Sequence, residues 1–436
     1  MNNPVIQTTH AKIYLGSNLE VLPTLPDNSI DAIVTDPPYE LGFMGKAWDA
    51  TGIAYSIELW RECLRVLKPG GHLLAFGGTR TWHRLAVAIE DAGFEIRDSI
   101  AWLYGSGFPK SHNIAKGIDK ASGYDGEVIG TETVDIGMQG GSMHAGRETK
   151  LAQREIKELS PEAQKWDGWG TALKPAHEPI VVARKPLIGT VAENVLTYET
   201  GGLNVDACRI GTETISVHNA PKGSFAGGEP DRGSDTESYR EHVGRWPANI
   251  ILDETTAKLL DEQSGQVKSA GIYQCGNNYE IDTAMFPLNS AGNKTAMYND
   301  KGGASRFFYI AKASKKDRNE GLEGLPEVSA GVGDTRPSGD FNQRLGTNDK
   351  PAQPKQNFHP TVKPTLLMQY LIRLVTPENG IVLDPFAGSG STGKAAILEN
   401  KQFIGIEITA EYLPIIQGRI EHAEQQLEAK ADDLFE

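Results

Sequence analysis

Residues 381–394 read IVLDPFAGSGSTGK. Ile381, Val382 and Leu383 form an unbroken apolar run ending on Asp384, as expected of a strand covered on both faces. Pro385 breaks the strand. Gly388, Gly390 and Gly393 then space a loop that leads into helical sequence from Thr392 to Glu399. Backbone N–H groups at such a strand-to-helix turn can hold an anionic group. A further strand is expected at Phe403–Ile408, followed by a polar-faced helix from Ala410 to Lys430. Strand, helix and strand in succession point to a parallel sheet with helices on both faces.

The same alternation opens the chain. Strands are expected at Lys12–Leu15, Ile30–Thr35, His72–Phe76 and Ile96–Tyr104, and helices at Ser56–Leu67 and Trp82–Ala92. Lys68-Pro69-Gly70-Gly71 is expected to stop the first helix. From residue 105 to 355 the sequence is rich in Gly, Ser, Asn and Pro. Strand-like islands occur there at Glu178–Arg184, Trp246–Leu252 and Arg306–Lys312, and 326–357 reads as a loop or linker. A helix at Pro364–Val375 precedes the glycine loop. The chain thus divides into 1–187, an inserted segment 188–355, and 356–436, with the two flanking parts forming one α/β body.

The 436 residues are 39% apolar and 23% charged, enough for a sizeable core. No apolar run approaches the about 18 residues of a membrane helix, and the start lacks the basic-then-apolar run of a signal peptide. Cys63, Cys208 and Cys275 lie far apart without a C-x-x-C. That disfavours a disulfide framework and a cysteine-based zinc site; all three read as buried small hydrophobes, and a reducing cytoplasm is the expected compartment. No metal site is expected. His10, His83 and His218 have no metal-ligand partners at useful spacing. A formal charge of -14 argues against gripping a polyanion with the whole surface but leaves room for a local basic groove.

Three cofactors could use the glycine loop. Gly388 and Gly393-Lys394 fit G-x-x-x-x-G-K of a nucleoside triphosphate site, but Ala395 stands where a magnesium-binding hydroxyl belongs. Gly388, Gly390 and Gly393 fit G-x-G-x-x-G of a dinucleotide site, with Glu407 placed as the ribose-binding acid. The third is S-adenosylmethionine. Asp384 would receive its ammonium, Gly388 and Gly390 would let the backbone approach, and Glu407 would accept the ribose hydroxyls. A plain packing turn would need no ligand at all.

Asp36-Pro37-Pro38-Tyr39 decides among these. A Pro-Pro turn accounts for the end of the strand but leaves Asp36 without a job. Adenine's exocyclic amine is a poor nucleophile because its lone pair is delocalised into the ring. Acceptors on its two N–H bonds would localise that pair, and the Asp36 carboxylate and the Pro37 carbonyl can be those acceptors. Pro37 and Pro38 fix the backbone, and Tyr39 offers a ring on which an extruded base can stack. No metal and no covalent intermediate are required. A cysteine-based mechanism on cytosine carbon would need a thiolate nucleophile, and no cysteine here follows a proline or sits near the glycine loop.

These residues resemble the DNA amino-methyltransferases, the N6-adenine and N4-cytosine group. With DPPY near the N-terminus and DPFAGSGSTG near the C-terminus, the order is similar to the circularly permuted β class of bacteria and phages. The resemblance covers 1–120 and 356–436. It implies a circularly permuted Rossmann-like methyltransferase sheet with 188–355 as target-recognition region and linker. It also implies Asp36, Pro37, Pro38 and Tyr39 as the catalytic set, and Asp384, Phe386, Gly388, Ser389, Gly390, Thr392 and Glu407 around S-adenosylmethionine. His359-Pro360-Thr361-Val362-Lys363-Pro364 resembles the class's HPTxKP segment, which implies Thr361 and Lys363 at the methionine end of the cofactor. The segments 201–211, 244–252 and 305–318 resemble related phage-type adenine methylases. Where the class has Gly-Asp after its first N-terminal strand, this chain has Gly16-Ser17-Asn18. The implied activity is base-flipping methylation of adenine N6 in double-stranded DNA, with cytosine N4 as the alternative. The resemblance also admits a homodimer and a cognate restriction endonuclease as partners.

DNA contact needs Lys and Arg. Lys301, Arg306, Lys312, Lys315, Lys316 and Arg318 cluster against one acid, Asp317, and Lys110, His112, Lys116 and Lys120 form a second basic stretch next to Phe108. Arg184 and Lys185 end a strand. Loops between 188 and 305 are the expected base readers; Trp166 and Trp169 could stack on a base, but core or loop anchoring is the favoured reading. The strand carrying Asp384 is expected beside the one carrying Asp36.

Overall fold

The computed structural model describes residues 3–41, 51–105, 107, 111–135, 151–218, 239–268, 301–311, 315–326 and 356–432. Phe108, Lys110, Lys312 and Cys275, and most of the loop expected at 326–357, lie outside them. Ten strands form the central sheet: β1 Ile6–Gln7, β2 Ala11–Leu15, β3 Ile30–Thr35, β4 Leu67–Phe76, β5 Glu95–Leu103, β6 His177–Arg184, β7 Ile250–Asp253, β8 Tyr309–Ala311, β9 Ile381–Asp384 and β10 Gln402–Glu407. Their spatial order is β1-β2-β10-β9-β3-β4-β6-β5-β7-β8. All pairings from β2 to β8 are parallel except the two made by β6, which runs against β4 and β5. The α/β class is therefore the observed one. Two strands from within 188–355, β7 and β8, extend the main sheet, so part of that segment belongs to the sheet itself.

Every residue of β3 is buried, and four of its six are apolar; the buried Asp31 carboxylate accepts from Lys68 Nζ at 2.6 Å and from the Ile381 N–H at 2.7 Å. The neighbour of β3 is β9, with Val382 opposite Ala32 and Leu383 opposite Ile33. The N- and C-terminal parts of the chain thus meet at the centre of the sheet. Apolar side chains fill both faces. One layer includes Leu59, Trp60, Cys63, Leu85 and Ile89 from the helices Ile57–Val66 and Trp82–Asp91. The other includes Leu367, Leu371, Ala395, Ile397 and Ile416 from Thr365–Val375, Ser391–Leu398 and Leu413–Asp432.

The first helix stops at Val66, before the Lys-Pro-Gly-Gly run, and β4 continues through that run. Proline and glycine are tolerated there because side chains take over the backbone bonding. The buried Asn194 amide donates to the Pro69 carbonyl at 2.9 Å and to the Thr200 carbonyl at 2.8 Å, and accepts from the Ile188 N–H at 3.0 Å. Thr200 Oγ1 donates to the same Pro69 oxygen at 2.6 Å. Asn194 sits on the helix Val191–Tyr198, whose start is a capping box of Thr190 and Glu193.

Trp166 and Trp169 are not core anchors: they are 42% and 58% exposed. Cys63 and Cys208 are buried free thiols. Burial pushes the Cys208 thiol up to about 11 and the Cys63 thiol higher, so neither supplies a thiolate nucleophile. Among the described residues no helix is long and apolar enough to cross a membrane.

Replacing Asn194 by Ala leaves the Thr200 carbonyl and the Ile188 N–H without partners inside the protein. The expected loss is about 2–4 kcal/mol of unfolding free energy in urea. A loss below about 0.5 kcal/mol would show that this amide does not hold the strand.

Candidate active site

Parallel strands present their carboxyl ends on one edge, and β3, β9 and β10 end there on Thr35, Asp384 and Glu407. A cavity of about 520 Å³ opens at that edge, a volume suited to a cofactor-sized ligand. Its lining includes Asp36, Pro37, Pro38 and Tyr39, the loop from Asp384 to Ser389, Thr392, Glu407, and Thr361 with Lys363. Two sets of expected residues from opposite ends of the chain therefore share one space. Of the expected set, Gly390 is the one that does not line it.

The glycine turn is held from behind. Gly388 has φ +52° and Gly390 φ +71°, left-handed values that favour glycine. A Cβ on Gly390 would lie 3.1 Å from Ile416 Cα, and one on Gly388 3.0 Å from His359 Nε2. Burial pushes His359 down to about 4, so its ring is neutral. Nδ1 faces the Thr361 carbonyl, which only accepts, so Nδ1 carries the proton and Nε2 is free to accept. The buried Arg419 guanidinium donates to the Ser389 carbonyl at 3.1 Å and to the Ser391 hydroxyl at 3.0 Å. Lys394, the residue a triphosphate site would need, is 1% exposed and bonded to Asp317 and Glu320 at 3.1 and 2.8 Å. Its ammonium faces away from the loop's open side, which removes the nucleoside-triphosphate reading.

Asp384 is 2% exposed. Its carboxylate accepts from Thr35 Oγ1 at 2.6 Å, Thr392 Oγ1 at 2.5 Å and the Phe386 N–H at 3.0 Å. Burial pushes its pKa up to about 6; the three hydrogen bonds oppose that shift and the nearby Asp36 adds to it. A carboxylate offers about four lone-pair sites, so one remains for a ligand cation. Glu407 accepts from the Gly388 N–H at 2.7 Å and the Thr409 N–H at 2.8 Å, and burial raises its pKa too. Gly16, Ser17 and Asn18 line the cavity beside it, and the Gly16 N–H donates to the Glu407 carbonyl at 2.9 Å.

The tetrad is wired differently. Lys363 is 7% exposed, and its Nζ lies 2.7 Å from Asp36 Oδ2, 3.1 Å from the Tyr39 hydroxyl and 3.2 Å from Glu178 Oε2. The Tyr39 hydroxyl donates to Glu178 Oε2 at 2.8 Å. Burial alone would lower the Lys363 pKa, but Asp36 and Glu178 overcome it and hold the ammonium above the usual lysine range. Burial, then Asp36 and Glu178, raises the Tyr39 hydroxyl well above its ordinary value, so it stays protonated. Asp36 Oδ1 is buried and has no hydrogen-bond partner among the described residues. Each carboxylate oxygen thus has a separate situation: one is neutralised by a cation, and the other is an unused acceptor at the cavity wall.

Glu178 was absent from the expected site. It reads as the first residue of a strand, and it belongs to the site only because β6 is antiparallel and therefore begins at this edge. Lys363, expected at the methionine end of a cofactor, places its ammonium on the tetrad and Glu178.

A glycine turn and paired carboxylates at the carboxyl edge of a parallel-rich sheet define an α/β enzyme built to hold a nucleoside-type cofactor. A family model for DNA methylase matches residues 30–418, and the chain belongs to the DNA methylase family. The Haemophilus influenzae type II methyltransferase M.HindIII is 26% identical over 353 residues, 80% of this chain and 63% of that protein. The Escherichia coli DNA adenine methyltransferase YhdJ is 46% identical over 65 residues, 15% of this chain and 22% of YhdJ. The Streptomyces caespitosus type II methyltransferase M.ScaI is 36% identical over 92 residues, 21% of this chain and 28% of M.ScaI. The chain spans less than two thirds of the length of these curated relatives. The solved PvuII DNA methyltransferase (cytosine-N4-specific) aligns over 98% of this chain and 96% of its own at 13% identity and a TM-score of 0.41.

The cofactor of this family is S-adenosylmethionine, and the residues present fit it. Gly388 lines the cavity, and Asp384 keeps an acceptor site that an ammonium could use. Glu407 lines the same cavity, bonded to the Gly388 N–H, and its carboxylate could accept ribose hydroxyls.

Lys363→Met would leave Asp36 and Glu178 side by side without their cation. The expected loss at pH 7.5 is about 3–5 kcal/mol. Urea unfolding of the variant against the parent checks this; a loss below about 1 kcal/mol would show that the lysine does not hold the two carboxylates together.

Proposed function

We propose that the chain transfers a methyl group from S-adenosylmethionine to the exocyclic N6 amine of adenine in double-stranded DNA, with the target base extruded into the cavity. The observation that carries this is the Asp36 carboxylate: Oδ2 is held by Lys363, while Oδ1 is buried, unpartnered among the described residues, and in the same cavity as the glycine turn. A buried acceptor without a donor is costly, and an amine N–H supplies the missing donor. Aspartate at the first tetrad position, and the adenine specificity in the name of YhdJ, support adenine as the base.

When bound, the cofactor supplies an electrophilic sulfonium methyl. The chain supplies position and charge. Asp36 Oδ1 accepts one N–H of the amine and the Pro37 carbonyl the other, so the nitrogen lone pair is no longer drawn into the ring. Pro38 fixes the turn, and the Tyr39 ring carries the base. Tyr39 is held at both ends: its ring hydroxyl donates to Glu178 and its backbone carbonyl accepts from Thr81 Oγ1 at 2.8 Å. Glu178 and Lys363 act as positioning residues. Asp384 receives the cofactor ammonium, with Thr392 and Thr35 orienting it, and Glu407 the ribose. Phe386, Ser389, Gly388 and Thr361 shape the remaining wall, and Gly390 holds the turn behind it. Catalysis here is placement and electrostatics, without a covalent enzyme intermediate. The catalytic body is built from 1–187 and 356–436, with β7 and β8 of the intervening segment added at the edge of its sheet.

Nucleoside analysis of DNA from cells expressing the protein should show N6-methyladenine; N4-methylcytosine instead would overturn the base assignment. Asp36→Ala should abolish transfer while S-adenosylmethionine still binds within about threefold, since Asp36 faces the base and not the cofactor.

The Asp384 pKa of about 6 gives a pH signature. An ammonium partner favours the ionised carboxylate, so cofactor affinity should rise as pH increases through about 6 and level off above it. Isothermal titration between pH 5 and 7.5 reads this out. Asp384→Asn should bind weakly and without that slope; an unchanged slope would remove Asp384 from the ammonium site.

A further inference from the structure

Residues 165–177 (KWDGWGTALKPAH) are exposed at every position. Trp166, Trp169 and Leu173 are 42%, 58% and 92% exposed, and the two indoles meet edge to face with centroids 5.3 Å apart. Large apolar side chains concentrated on an uncovered ribbon mark an interaction surface more often than scattered ones do. The ribbon is nevertheless tied down. The Ile114 N–H donates to the Trp169 carbonyl at 3.1 Å, the Thr171 N–H to Ser111 Oγ at 2.9 Å, and the Tyr104 N–H to the Ala176 carbonyl at 3.0 Å. Its last residue, His177, pairs with Leu103, and the next is Glu178, bonded to Tyr39.

Sheet topology says which edge this is. Segment 104–176 leaves the carboxyl end of β5 and returns at the start of the antiparallel β6. Both its ends therefore lie on the edge that carries Asp36 and Asp384. Segment 185–249 leaves the end of β6 and enters the start of β7, so both its ends lie on the opposite edge. Charge agrees with this. Nine Lys and Arg face ten Asp and Glu over 104–176, against six and nine over 185–249, so the first segment repels a polyanion less.

We propose that the ribbon 165–177, with Trp166 and Trp169 at its centre, is the surface that seats the DNA duplex around the extruded base. This deepens the methyltransferase reading above and rests on it. Extruding a base opens a gap in the stack, and flat side chains at the mouth can stack on the exposed bases or wedge between them. Exposed Lys165 in the ribbon, and Lys116 and Lys120 on the helix Ile114–Ser122 bonded to it, supply cations for the flanking phosphates.

The test is Trp166→Ala/Trp169→Ala in the full chain with S-adenosylmethionine bound. Because both rings are exposed, folding is not at stake, and thermal unfolding verifies that. Fluorescence anisotropy with labelled fragments of unmethylated genomic DNA should show duplex binding at least about tenfold weaker. Cofactor affinity should stay within twofold, and Trp166→Phe/Trp169→Phe should recover most of the binding. Duplex affinity within twofold of the parent would overturn the proposal. A loss of mass in sedimentation with duplex binding unchanged would do the same, assigning the patch to a second copy of the chain. If the parent transfers no methyl to DNA, the underlying reading fails. If the parent methylates and the double variant does so equally well at low DNA concentration, only the docking surface fails.

Discussion

One parallel pairing carries the site. β3 and β9 come from opposite ends of the chain, lie side by side, and end together, with Thr35 donating to Asp384 across the join. Each strand delivers one carboxylate to the edge, Asp36 on one and Asp384 on the other. Strand neighbours are less than 5 Å apart in the hydrogen-bonding direction, so residues 348 positions apart in sequence become walls of one cavity. If this pairing were lost, the donor-binding turn and the acceptor-binding turn would be separate, unconnected loops.

Placing several acids in one buried space raises a second constraint, which the chain meets in two different ways. Around Asp36 and Glu178 a full cation is buried, and Lys363 holds both. Around Asp384 and Glu407 the bonded partners among the described residues include no cation, only hydroxyl and backbone donors. The first arrangement already holds its cation before any ligand arrives, with Asp36 Oδ1 left as the open acceptor. The second is left short of positive charge, which suits a cofactor that brings its own. Lys394 and Arg419 satisfy a third acidic group, Asp317 and Glu320, behind the glycine turn, and so anchor it without entering the cavity.

Much of this was legible in residues alone. Buried parallel strands are written mainly in apolar and β-branched residues, so β3 and β9 match their expected bounds, and the tetrad and loop motifs mark their ends. The neighbourhood of Asp36 and Asp384 followed from that. Elements with a weaker apolar stripe were missed: the helix Val191–Tyr198 despite its Thr190–Glu193 capping box, the helix Glu254–Ser264 capped by Asp253, and the polar hairpin Val128–Asp135 with Leu151–Lys157. Lys-Pro-Gly-Gly misled because its strand is held by an asparagine 125 residues away. Glu178 and the pairing of Lys363 were invisible for the same reason. No spacing rule announces an ion pair that exists only once an antiparallel strand has been threaded between parallel ones.

That antiparallel strand also limits how the enzyme can diversify. Side chains on a strand alternate faces, so sliding β6 by a single position would swap Glu178 for Pro179 at the Tyr39 hydroxyl and turn every neighbour inside out. Length changes between Gly123 and Ser160 can be absorbed where the polar hairpin projects. Between His177 and Arg184 they cannot, because each residue there is paired in the ladder to β5. The lineage of such proteins should therefore vary in the hairpin while keeping the strand that carries Glu178 at constant length.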